Sequence, residues 1–163
     1  MQGNAELERL LLNSFPTSEP YGLLVEVTAV TDFRSLEVLD RIKELLRRII
    51  DCELSFDDEL ADWKALMPAW FLGELYPPLS TSDAKRLLQS PGGFDRLSDH
   101  WTLDGFLHWF RPENRSWYWW YGEIESQSKV RIFIEVDGYP FAWGALKFLV
   151  KAAGAQEVSC DVE

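Results

Sequence analysis

His100 and His108 are the only imidazoles in the chain. On a helix read from Thr102 to Phe110, Asp104 and His108 stand four apart and share a flank, with Asp99 and His100 just ahead. A carboxylate beside an imidazole suits proton transfer or part of a metal site. The chain has no HExxH or HxxxH and no third ligand at fixed spacing, so no metal is expected. Asp104 and His108 are read as the polar groups of a ligand cleft walled by Trp109 or Trp119. The plainer reading is an exposed helical pair with Asp99 as a cap.

Other reactive signatures are missing. Ser90-Pro91-Gly92-Gly93 lacks the Lys-Ser/Thr ending of a phosphate loop, and no GxGxxG occurs. There is no GxSxG elbow for a nucleophilic serine. Neither Cys52 nor Cys160 has a local motif. Carboxylate pairs such as Glu123 and Glu125 are too common here to mark a site. No cofactor and no catalytic residue is assigned.

Two patches remain. Asp51, Glu53, Asp57, Asp58, Glu59 and Asp62 form an acidic run with no base until Lys64. Such a run is a capped helix start with a solvated face, or a negative patch that steers a basic partner. Asp57 and Asp58 are expected in the first turn of that helix. Glu157, Asp161 and Glu163 are further acids that folding can add to the patch. The second patch is aromatic. Trp101 to Tyr121 holds nine of the chain's aromatics, ending in Trp117-Tyr118-Trp119-Trp120-Tyr121. Strict alternation puts Trp117, Trp119 and Tyr121 on one face, with Tyr118, Trp120 and Ile124 on the other. Those rings either fill a core or form recognition anchors, since Trp and Tyr dominate binding hot spots.

The elements that must position these residues follow from periodicity. A short helix covers 5–14. Leu23, Val25, Val27 and Ala29 alternate in a strand over 22–30. The clearest helix is 35–52, with Leu36, Leu39, Ile42, Leu46, Ile49 and Ile50 on its apolar stripe. Residues 54–98 read as short helices between breakers. Phe56, Leu60, Trp63 and Met67 make a stripe there, Ser80 or Thr81 caps a helix with Leu87 and Leu88 inward, and Ser90 to Gly93 ends it. Segments 116–125 and 129–136 read as a hairpin around Ser126-Gln127-Ser128. Pro140 suits the first position of a helix bearing Phe141, Ala145, Phe148, Leu149 and Ala152, and Gly154 suits its C-terminal end. A last strand runs over 156–162, and the strand–helix–strand order implies a parallel crossover. The expectation is one α+β domain over 1–163, a mixed sheet of about four or five strands with packed helices.

Composition bounds the function. The chain has 163 residues, a net charge of −11 and eight Trp. That aromatic content argues against a disordered chain, and the charge argues against nucleic acid as a partner. No apolar stretch nears the roughly 18 residues of a membrane span. No signal-peptide layout opens the chain, and two distant cysteines suit reduced thiols, so a cytoplasmic protein is expected. In size, charge and aromatic content the chain resembles small acidic bacterial proteins that neutralise toxins or sit in protein complexes, although no residue motif carries the likeness. That likeness implies a non-catalytic, immunity-type domain for a basic protein partner, using Asp57, Asp58, Glu59 and Asp62 for steering and Trp117, Trp119 and Tyr121 as anchors. The second reading is a small enzyme or ligand-binding protein built on Asp104, His108 and Trp109. The third is a homo-oligomer subunit joined through the aromatic face.

Overall fold

The computed structural model describes residues 2–162; Glu163, one of the acids named above, lies outside them. Its elements are α1 (Gln2–Leu10), β1 (Leu23–Val30), α2 (Ser35–Ile50), α3 (Leu60–Leu66), α4 (Ala69–Leu72), α5 (Thr81–Leu88), α6 (Gly93–Ser98), α7 (Leu103–His108), β2 (Trp117–Ser126), β3 (Lys129–Val136), α8 (Gly144–Ala152) and β4 (Glu157–Cys160). The fold is α+β, with a sheet in the order β2-β3-β1-β4. Every neighbouring pair is antiparallel, so the sheet is not mixed. β3 and β4 do run parallel to each other, but β1 lies between them and takes both as partners.

One face of the sheet carries the core. Val25, Val27 and Ala29 pair with Ile134, Ile132 and Val130, and Val158 and Cys160 continue the row on β4. Alternating apolar residues give each strand this one buried face. Against it lies α2, burying Val38, Leu39, Ile42, Leu45, Leu46 and Ile49. Leu36, expected on that stripe, is 63% exposed. The buried arc is centred one step round the helix, where Val38 enters. On the outer side of α2, Glu37 pairs with Arg41 and Glu44 with Arg48, each four apart, at 2.8 and 2.9 Å. The opposite face of the sheet is polar in its middle, where Arg131 bridges Glu26 and Glu123 across three strands.

β2 departs from simple alternation. A bulge between Trp119 and Tyr121 inserts a residue against β3. Trp117 and Trp119 pair with Val136 and Ile134 on the core face. Tyr121 pairs with Phe133 on the other face, so the three rings do not share a side. Beyond the bulge Gly122 returns to the core side. A Cβ there would sit 2.7 Å from Leu39 Cδ1 and from the Trp119 ring, so this position must stay bare. The outer edge of β2 is closed by side chains instead of a strand. Glu6 of α1 accepts from the Trp119 amide at 2.7 Å, Arg9 donates to the Trp119 carbonyl at 2.9 Å, and Arg115 donates to the Trp117 carbonyl at 3.0 Å. Arg115 also pairs with Glu6, whose side chain is wholly buried. Burial pushes the Glu6 carboxyl above its ordinary pKa, against the pull of Arg115 and the Trp119 amide.

Several local expectations change. Asp57 and Asp58 lie in the turn before α3, not in its first turn, because Asp58 bonds the Ser55 amide and closes that turn. Ser90 to Gly93 does follow the end of α5, and Gly93 also opens a further helix, α6. Gly92 takes a left-handed φ of 68°, and a Cβ on Gly93 would run into the Leu87 carbonyl, so α6 folds back on α5. In α5 Leu87 is half-buried and Leu88 exposed, because the helix rests on α6 and not on the core. Ser80 caps α5, accepting from the Asp83 amide. Pro140 precedes α8 in a cis peptide and is not at its first position, while Gly154 does follow the helix, at φ 124°.

Two measurements check this construction. Gly122→Ala should lower unfolding free energy by about 1–3 kcal/mol in urea titration, since the added methyl meets two packed side chains. A folded-state carboxyl pKa above the unfolded 4.5 means the folded state keeps its proton longer as pH rises. Stability of the wild type should therefore fall through the interval just above pH 4.5 relative to Glu6→Gln. Equal pH slopes in the two proteins would contradict the burial of that carboxyl.

Candidate functional site

The rings expected to anchor a partner are turned inward. Trp117 is 2% and Trp119 0% exposed. Trp117 meets Phe110 edge-on at 5.7 Å. Tyr121 lies beneath Phe15 at 5.4 Å and donates its hydroxyl to the Asn13 carbonyl. Trp120, at the bulge, is roofed by the Arg9 guanidinium 4.7 Å from its centroid. Trp117, Trp119 and Tyr121 therefore offer no face to a partner or to a second copy. The reason is the bulge, which divides the rings between two sides that are both covered.

The acidic run behaves differently. Asp51, Glu53, Asp57, Asp58, Glu59 and Asp62 are all exposed. Two of them have local work: Asp57 takes Arg111 at 3.0 Å, and Asp58 holds the Ser55 amide at 2.8 Å. Among the described residues Glu59 and Asp62 make no ion pair. The run leads into α3, and its first helical residue, Leu60, is 41% exposed.

Leu60 stands where two depressions meet. One is an apolar groove of about 490 Å³ between α3, the segment after α4, and the start of α7. Its floor and walls include Leu60, Leu72, Leu75, Pro77, Pro78 and Leu103, with Lys64 and Asp104 as its charged members. The other is a polar cleft of about 190 Å³ lined by Asp58, Asp104, His108 and Arg111 over Phe56, Trp63 and Leu107. Leu60 and Asp104 line both. α7 can hold Asp104 here because Thr102 caps its start, accepting from the Gly105 amide, while Leu103, Phe106 and Leu107 anchor its inner side. α3 is pinned by Trp63, which stacks on Phe56 at 5.1 Å and donates to the Ser55 carbonyl at 3.0 Å.

Asp104 and His108 thus do line a cleft, but between α3 and α7, not against the aromatic strand. Trp119 is no wall of it. Trp109 is 36% exposed and meets His108 edge-on at 5.1 Å, outside the cleft lining. Among the described residues no hydrogen bond joins Asp104 to His108; the imidazole Nδ1 lies 3.5 Å from the Asn114 amide nitrogen. Arg111 is held by Asp57 and by the Phe56 carbonyl at 2.8 Å. Among the described residues, no group of three or more His, Cys, Asp or Glu is placed to hold a metal ion. Among the described residues no helix is long and apolar enough to cross a membrane. Cys52 donates its thiol to the Ile49 carbonyl at 3.3 Å, and no disulfide joins it to Cys160.

The groove residues Leu72, Leu75, Pro77 and Pro78 carry no signal of a site in the sequence. There they belong to a dense apolar run with a breaker, which reads as core. No family model matches the chain, and no curated protein or solved structure does.

The burial pattern has a direct optical consequence. Trp63, Trp117, Trp119 and Trp120 are buried, and Trp109 is the most exposed indole. Acrylamide quenching should show a protected fraction of about half the emission, matching four buried indoles among eight, and Trp109→Phe should reduce the accessible fraction more than Trp119→Phe. A larger loss with Trp119→Phe would contradict the inward placement of β2.

Proposed function

We propose that the protein is a non-catalytic binding domain for a basic protein partner, in the manner of an immunity-type inhibitor acting in the cytoplasm. The observation that carries this is the exposed acidic run beside an apolar groove on one helical surface. Asp58, Glu59 and Asp62 raise the local negative potential, and the groove supplies area that an interface can bury. Charges at the rim set encounter rate and salt dependence, while the apolar centre sets how long the complex lasts.

A second reading, a small-ligand site, rests on one observation: Asp58, Asp104, His108 and Arg111 converge on the polar cleft. Its volume of about 190 Å³ falls below the roughly 300–1,000 Å³ usual for ligand pockets.

The test uses two baits at low salt, the wild type and a variant carrying Glu59→Lys and Asp62→Lys. Asp57 and Asp58 are spared because they hold Arg111 and the Ser55 amide. The wild type should retain a basic protein that elutes as salt rises, and the reversed bait should lose it. The purified pair should then associate more slowly with added salt. A partner held equally by both baits, or one that is acidic at the contact, would overturn the reading.

A further inference from the structure

We infer that the apolar groove and the polar cleft are two halves of one docking site, which takes an apolar side chain followed by a Lys or Arg from a segment of the partner. This deepens the basic-partner reading and rests on it.

The argument begins with continuity. Leu60 and Asp104 line both depressions, so the groove and the cleft adjoin at these two side chains. The groove's volume of about 490 Å³ lies within the range of sites that enclose organic ligands, and its lining is mostly aliphatic and proline. Pro77 and Pro78 add stiffness to one wall, and rigid apolar walls lose little entropy when filled. The charge is unequal at the two ends. In the groove Lys64 and Asp104 oppose each other. In the cleft Arg111 already faces Asp57 at 3.0 Å and Glu113 at 3.9 Å, which among the described residues leaves Asp58 without an ion pair, beside the Asp104 carboxylate that the cleft shares with the groove. A cation is therefore the complementary group at that end, and an apolar side chain at the other. Arg suits the cleft particularly, since its planar head can bond a carboxylate while stacking over a ring such as Phe56.

The probes are short synthetic peptides in a Gly/Ser background, each with two apolar residues followed by Arg. Matched peptides carry Glu for the Arg, or Ser for the apolar pair. Binding is read from backbone amide shifts of the full-length protein. The expected result is that shifts concentrate on 60–64, 72–76 and 103–111, and that either replacement weakens binding about tenfold. Asp58→Asn with Asp104→Asn should weaken the Arg peptide but not its Glu counterpart. The Asp58→Asn change keeps a side-chain oxygen as acceptor for the Ser55 amide, so the turn survives. Ala61→Gln, at an exposed helical position on the groove, should weaken every apolar peptide.

Equal binding of the Ser and apolar peptides overturns the two-part site while leaving a basic partner in place. Equal binding of the Glu and Arg peptides overturns the cationic half, and with it the charge preference on which the partner reading stands. Shifts confined to other residues, or none at the highest soluble peptide concentration, also overturn the site.

Discussion

Trp117, Trp119, Trp120 and Tyr121 are all buried in one strand, and the bulge in β2 sets which side covers each ring. It sends Trp117 and Trp119 to the core and Tyr121 to the opposite side, with Trp120 at the bulge beneath Arg9. Much else follows. Gly122 must be bare because Trp119 lies across it. Phe15 must return over Tyr121 and Phe133, at 5.4 and 5.2 Å, because two rings now stand on the far face. The irregular edge is a poor template for another strand, so α1 seals it with Glu6 and Arg9, joined by Arg115, in place of a ladder.

That arrangement decides where a binding surface can be. The aromatic block is consumed internally, and the far face of the sheet carries the Arg131 bridge to Glu26 and Glu123. The exposed apolar surface with unpaired charge beside it lies on the helical middle region. α3 and α7 hold their inner sides through Trp63, Phe106 and Leu107, and this leaves Leu60, Asp104 and His108 outward. The groove is the gap left between α3, the segment after α4 and the start of α7.

How much of this is legible in the sequence depends on the kind of residue. Val25, Val27 and Ala29, and likewise Val130, Ile132 and Ile134, announce their strands because a period of two is local information. The hairpin is also readable, although its turn is tighter than expected, with Ser126 paired to Lys129. The acidic run is visible as a patch, and folding leaves it exposed. The shared flank of Asp104 and His108 follows from helical spacing, whereas the cleft they enter does not, because its other wall, α3, is some forty residues away. Leu72 and Leu75 look like core because a half-buried leucine and a fully covered one have the same local pattern.

The sequence by itself determined the α+β class, the apolar faces of α2, β1 and β3, and the two patches of acid and aromatic residues. These depend on spacing along the chain and on the cost of leaving apolar area in water. Only the tertiary structure decided which patch faces outward. A bulge costs little locally and is selected by how rings fit against Leu39, Phe15 and Arg9, contacts that span most of the chain. The burial of Glu6 has the same origin: its partners, Arg115 and the Trp119 amide, lie more than a hundred residues away and meet it only once the sheet has formed.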